Sequence, residues 1–120
     1  MKPINLVALI DDDDVANFVN QKVIESTHLV KQIKVFTGGD KAIEFLKANL
    51  NNIKLLPEII LLDMNMPVTD GFEFLAQFIS LNPRIGKKIN IYVVSSSLSM
   101  SVRDKIRRIG KEVLVNYQVN

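Results

Sequence analysis

Five short apolar runs rich in branched residues punctuate this chain, at Ile4–Ile10, Ile33–Phe36, Ile59–Leu62, Ile89–Val94 and Val113–Val119. Each has the length and composition of a strand. The runs over 59–62 and 91–94 are apolar without interruption, which suits strands covered on both faces.

Between the runs the period changes. Val15, Phe18, Val19 and Val23 stand at i, i+3, i+4 and i+8, one face of a helix. Asp13 or Asp14 is placed to cap it. Ala42, Ile43, Leu46 and Leu50 mark a second helix after the breaker Gly38-Gly39. Phe72, Leu75, Phe78 and Ile79 mark a third, begun near Asp70-Gly71 and ended before Pro83. Val102, Ile106 and Ile109 mark a fourth, with Ser101 and Asp104 in capping-box spacing and Gly110 as its stop. Strict alternation of strand and helix implies parallel strands, right-handed crossovers and a doubly wound α/β sheet. A fifth helix is expected after the last strand. The sequence reaches Asn120 without one, so the last helix reads as missing and the domain, residues 1–120, as ending after strand five: either the sequence is truncated there or the last strand is left poorly covered.

The 120 residues suit one domain, and 48% hydrophobic residues exclude a disordered chain. Without cysteine there are no disulfides and no thiolate metal sites. No apolar run approaches the roughly 20 residues of a membrane span. The N-terminus lacks the small residues of a signal-peptide cleavage site, so a soluble cytoplasmic protein is expected. Basic residues gather between Arg84 and Lys111, where Asp104 is the only acid. Only Tyr92 interleaves them, so they read as a solvated helix face and not as a nucleic-acid surface.

Open parallel sheets bind ligands beyond the carboxyl ends of their strands. Strand one ends at Asp11-Asp12, strand three at Asp63 and strand four at Ser95-Ser96-Ser97. Taken singly, Asp63 is a turn residue and the serines are a loop. Their convergence on one edge is what favours a site. Carboxylates without histidine or cysteine select a hard cation, Mg²⁺ foremost. Asp12 and Asp63 are candidates for direct ligands, Asp11 for one acting through water, and a backbone carbonyl just past Asp63 for another. Without the cation such carboxylates raise one another's pKa values. With it, Asp63 stays ionised and able to act as a nucleophile. A carboxylate nucleophile beside Mg²⁺ suggests phosphoryl transfer to aspartate, with backbone amides and the Ser95 hydroxyl binding the transferred group.

Three stretches, "LIDDDDVANFV", "IILLDMNMPVTDGFEFL" and "IYVVSSS", closely resemble signatures of the receiver domain of two-component response regulators, and "VFTGGDKAIEFL" looks like that family's second strand and helix. The resemblance covers nearly the whole chain and is strongest to stand-alone receivers. It implies a flavodoxin-like five-stranded sheet of order 2-1-3-4-5. It makes Asp63 the phosphoacceptor and Asp11 and Asp12 the acidic pair, Asp12 being the direct Mg²⁺ ligand. Asn65 would offer its backbone carbonyl to Mg²⁺ and turn its side chain to the phosphoryl site. The amides of Met64 and Ser96 would bind the phosphoryl group, Ser95 would be the switch hydroxyl and Tyr117 the switch aromatic. Pro67 and Gly71 would shape the loop after the acceptor. One departure stands out. The family ends strand five with a lysine followed by proline, and here that position falls on Asn120 or Val119. Without that buried cation the site depends wholly on Mg²⁺, so weaker phosphorylation, or weaker coupling to shape change, is expected.

The resemblance implies a phosphoacceptor signalling switch, not an enzyme with an external substrate. A histidine kinase or phosphotransfer protein would supply the phosphoryl group. The output would pass to a downstream protein target, with no direct contact to nucleic acid or membrane. The alternative is a degenerate receiver, an interaction module independent of phosphorylation. The missing lysine and helix favour it, and the intact aspartates oppose it. A Mg²⁺-dependent phosphohydrolase would need a proton-transferring acid two residues past Asp63, where Asn65 stands. His28, the single histidine, reads as an ordinary surface residue.

Overall fold

Each of the five apolar runs overlaps a strand: β1 (Ile4–Ile10), β2 (Val30–Phe36), β3 (Ile59–Leu62), β4 (Asn90–Ser95) and β5 (Val115–Val119). They form one parallel sheet of order β2-β1-β3-β4-β5. The computed structural model describes residues 3–63, 71–95, 104, 108 and 115–119, with positions 94, 95 and 115–119 described by their backbone. Residues Leu6 to Ile10 of β1 are all buried, as an interior parallel strand requires. β2 starts at Val30, ahead of the apolar run that marks it, because Ile4 pairs with Val30 across the ladder. As an edge strand it needs no apolar residues there. Lys31, Gln32 and Lys34 are exposed on it, and edge lysines discourage pairing with another chain.

Three helices alternate with these strands: α1 (Asp14–Ser26), α2 (Gly39–Ala48) and α3 (Gly71–Leu81). Asp13 is the cap of α1. Its carboxylate accepts from the amides of Val15 at 2.9 Å and Ala16 at 3.3 Å, which stabilises the helix by about 1 kcal/mol. Asp14 lies in the first turn, where the helix dipole favours an acid. At the other end His28 is exposed, as expected, and adopts the left-handed conformation at φ 58° that stops the helix. α3 ends in a 3-10 turn over Asn82–Arg84 around Pro83. Of the fourth predicted helix, Asp104 and Arg108 are helical and the rest lies outside the described residues.

The core lies between the sheet and the helices α2 and α3. Ile43 and Leu46 of α2 and Phe74, Leu75 and Phe78 of α3 are buried against Ile60, Leu62, Ile91 and Val93. The rings of Phe74 and Phe78 stack at 6.1 Å. α1 is different. Its predicted stripe of Val15, Phe18, Val19 and Val23 forms, but all four are exposed, Val15 by 71%. The opposite, sheet-facing side carries Asn17, which is buried, and the half-buried Asn20, Gln21 and Ile24. Periodicity identifies the helix, while the packing of polar residues inward decides which face is covered. No helix among the described residues is long and apolar enough to cross a membrane.

At the amino ends of β3 and β4 the chain is tied by one lysine. Lys87 Nζ donates to the carbonyls of Ile53 and Leu56, each at 3.0 Å, and lies 3.9 Å from the Glu58 carboxylate.

Candidate functional site

At the opposite edge the strand ends gather acids. Ile10 of β1 is level with Leu62 of β3. The ladder runs one residue beyond each strand before the chain turns. The amide of Asp11 donates to the Phe36 carbonyl at 3.1 Å, and that of Asp63 to the Ile10 carbonyl at 2.9 Å. Two side chains far apart in sequence are thereby fixed side by side through their own backbone. Carboxylate oxygens of Asp11, Asp12 and Asp63 all lie within 4.8 Å of one another, with Asp11 and Asp63 half-buried and Asp12 exposed.

The turn between β1 and α1 is braced from within. Asp11 Oδ1 accepts from the Asp13 amide at 3.0 Å, an aspartate turn. The Asn17 side chain, one turn into α1, donates from Nδ2 to the Asp11 carbonyl at 2.8 Å. The four aspartates thus divide: Asp11 and Asp12 face Asp63, while Asp13 and Asp14 serve the helix.

Burial pushes the Asp11 carboxyl above its ordinary value of 3.8. The Asp13 amide bonded to it counters that rise, the charges of Asp12 and Asp13 add to it, and a hydrogen bond with Asp63 opposes it. A carboxyl raised by folding contributes stability that is present in acid and is lost as pH rises from 3.8 through its folded value. Ionised Asp11 is therefore a cost to the cation-free fold. Asp11→Asn keeps the acceptor for the Asp13 amide and removes the charge. We expect it to raise the melting temperature in chelator at about pH 7, and the gain to shrink as the pH is lowered towards the ordinary carboxylate range. A variant that melts lower at neutral pH would contradict this assignment.

The donor set is all oxygen. Ligand atoms around an octahedral ion at about 2.1 Å stand roughly 3 to 4 Å apart. A cluster this tight fits a hard divalent cation, and its mutual repulsion is what such a cation relieves.

Ser95 ends β4 on the same edge, two positions beyond Val93, which is level with Leu62. In β5, Tyr117 pairs with Val93 and Val119 with Ser95. One of the two positions expected for the lysine, Val119, is therefore in register with Ser95. Met64, Asn65, Pro67, Ser96 and Asn120 lie outside the described residues. Asn17 was not among the residues that sequence reasoning singled out. Its signal is faint: a polar residue one turn into a helix that directly follows a strand end.

Comparison with known proteins agrees with this fold. The model of the response regulator receiver domain matches residues 7–116. The chain is similar to a two-component response regulator from Cytophaga hutchinsonii, with 34% identity, a TM-score of 0.83, and coverage of 97% of this chain and 86% of that one. It shares the fold of the receiver domain of the histidine kinase CKI1 from Arabidopsis thaliana, solved in complex with Mg²⁺ and BeF₃⁻, at 17% identity and a TM-score of 0.76, covering 96% of this chain and 80% of that one. It is also 26% identical over 103 residues to a probable methanogenesis regulatory protein, FilR2, of Methanothrix harundinacea. That match takes in 86% of this chain and spans 63% of the relative's length.

Proposed function

This chain belongs to the response regulator receiver family, and from that premise we propose that it is a Mg²⁺-dependent phosphoacceptor switch of a two-component relay, phosphorylated on Asp63. The observation that carries the reading is the acidic triad at the strand ends, with Asp63 held in place by its amide bond to Ile10. A nucleophile must be fixed against its activating groups, and a ladder hydrogen bond at the end of a buried strand does that.

In the proposed step an oxygen of the Asp63 carboxylate forms a bond to phosphorus. The bond from phosphorus to the donor's imidazole nitrogen breaks, and that nitrogen keeps the electron pair. The donor is a histidine kinase or a phosphotransfer protein. Mg²⁺, when bound, neutralises phosphoryl oxygens and lowers the repulsion that the incoming anion meets. Asp12 and Asp63 would hold it with the Asn65 carbonyl, and Asp11 would act through water. The amides of Met64 and Ser96 and the hydroxyl of Ser95 would bind the transferred group. Drawing Ser95 inward would bias the face built from the fourth predicted helix and β5, which a downstream protein reads. The domain acts in the cytoplasm and turns over no external substrate. The fold shared with a receiver solved with Mg²⁺ and BeF₃⁻ supports the cation and the phosphoryl mimic as probes.

The reading is tested with beryllofluoride. Added with Mg²⁺, it should shift the amide NMR signals around Asp63 and Ser95 and leave those around Lys87 in place. A spectrum unchanged by beryllofluoride with Mg²⁺ identifies an interaction module with no use for phosphate.

A further inference from the structure

Asn17 is a polar side chain placed where a helix meets its sheet, and it is 4% exposed. Its Nδ2 is used, donating to the Asp11 carbonyl at 2.8 Å. Its Oδ1 is buried and accepts from no described group. A buried carbonyl oxygen left unpaired has lost its hydration with nothing in return, so a position that retains one calls for an explanation. With Asp11, Asp63, Asn20 and the apolar Leu9, Leu61 and Leu62, Asn17 lines a small cavity of about 20 Å³, so two of the three clustered aspartates stand in its wall. That is room for one water molecule.

The chemistry of the lining narrows what that molecule is. Asn17 Oδ1 is an acceptor, and ionised carboxylates only accept. A molecule set among them must donate. Water whose lone pair is given to a cation has two protons left to donate, and the acidic cluster that would hold the cation forms one wall. We propose that Asn17 is a positioning residue of the cation site, its Oδ1 accepting a hydrogen bond from a water molecule that is itself a ligand of the cation. The assignment rests on the reading of the cluster as a Mg²⁺ site. Such outer partners fix the orientation of ligands, and their loss weakens metal affinity by about 10- to 100-fold.

The test is the Mg²⁺ dissociation constant of the intact chain, measured by NMR titration with the metal alone. Asn17→Leu, apolar and of similar size, should weaken binding about tenfold or more. Asn17→Asp keeps the oxygen and loses the donor to Asp11. It should bind Mg²⁺ at least as tightly as Ala16→Asp does. Ala16 does not line the cavity, so Ala16→Asp measures the Coulombic gain of a charge placed one residue away. If Asn17→Leu binds within about twofold of the wild type, the proposal fails while the Mg²⁺ site stands. If Asn17→Asp loses as much as Asn17→Leu, the side chain only anchors the Asp11 carbonyl and the proposal also fails. A wild type that binds no Mg²⁺ removes both the proposal and the reading beneath it. Should Asn17→Leu not fold, the wild type still decides. The Asn17 ¹³Cγ resonance should move in step with Mg²⁺ saturation, and a resonance that stays in place overturns the proposal.

Discussion

Incubated with acetyl phosphate and Mg²⁺, the wild-type chain should gain one phosphoryl group in intact mass, and Asp63→Ala should gain none. The expected effect is all or nothing because the reading proposed above gives the acceptor role to Asp63 alone. Asp63 ends the interior strand β3, where its amide bond to Ile10 fixes it. Asp12 is exposed, and Asp11 spends Oδ1 on the Asp13 amide. Omitting Mg²⁺ should suppress the gain as fully as the substitution does, since three carboxylates within 4.8 Å would otherwise face an incoming anion. Modification of Asp63→Ala at the same rate would move the chemistry to another residue and overturn the assignment.

The second large effect concerns the frame and not the chemistry. Phe78→Ala should destabilise the fold by about 3–5 kcal/mol, read as a lower urea midpoint. Phe78 is fully buried, stacks on Phe74, and joins α3 to the sheet beneath β3 and β4. Domains of this size hold about 5–15 kcal/mol in all, so the substitution would remove a large share of the margin of a domain at the lower end of that range. A shift below about 1 kcal/mol would mean that the site collapses around the lost ring. The substitution lies far along α3 from the acidic edge, so phosphorylation should fall only with the folded fraction.

These two predictions draw on what the sequence conveys well. Branched apolar runs locate the strands because burial on both faces of a parallel sheet leaves nothing to alternate, as Leu6 to Ile10 show. The strand-end rule then puts Asp11, Asp12 and Asp63 on one edge before any coordinates are known. Position along a strand is local information. Burial around a helix is not. Val15, Phe18, Val19 and Val23 announce a helix and yet are exposed, while Asn17 between them is buried. A period counts apolar residues, and it cannot register a polar side chain drawn inward by the Asp11 carbonyl. The choice between Asp13 and Asp14 as the cap likewise needed geometry, since both have the right chemistry and only Asp13 reaches the amides of Val15 and Ala16. The sequence marks β2 short for a related reason. Its first residues are fixed by pairing with β1, and their own composition, lysine and glutamine, argues for a loop.

The lysine at the amino ends of β3 and β4 has a practical corollary. Lys87 supplies a permanent positive charge to two carbonyls and a carboxylate at one end of these strands. The other end draws its positive charge from solution under the chemistry proposed above. Buffer composition therefore acts on the two ends separately. Chelator strips the acidic end and leaves Lys87 in place. Monovalent salt screens the Lys87–Glu58 pair, while its hydrogen bonds to Ile53 and Leu56 persist. Under that chemistry a melting curve in chelator would report a sheet held at one end, and the same curve in Mg²⁺ would report a sheet held at both.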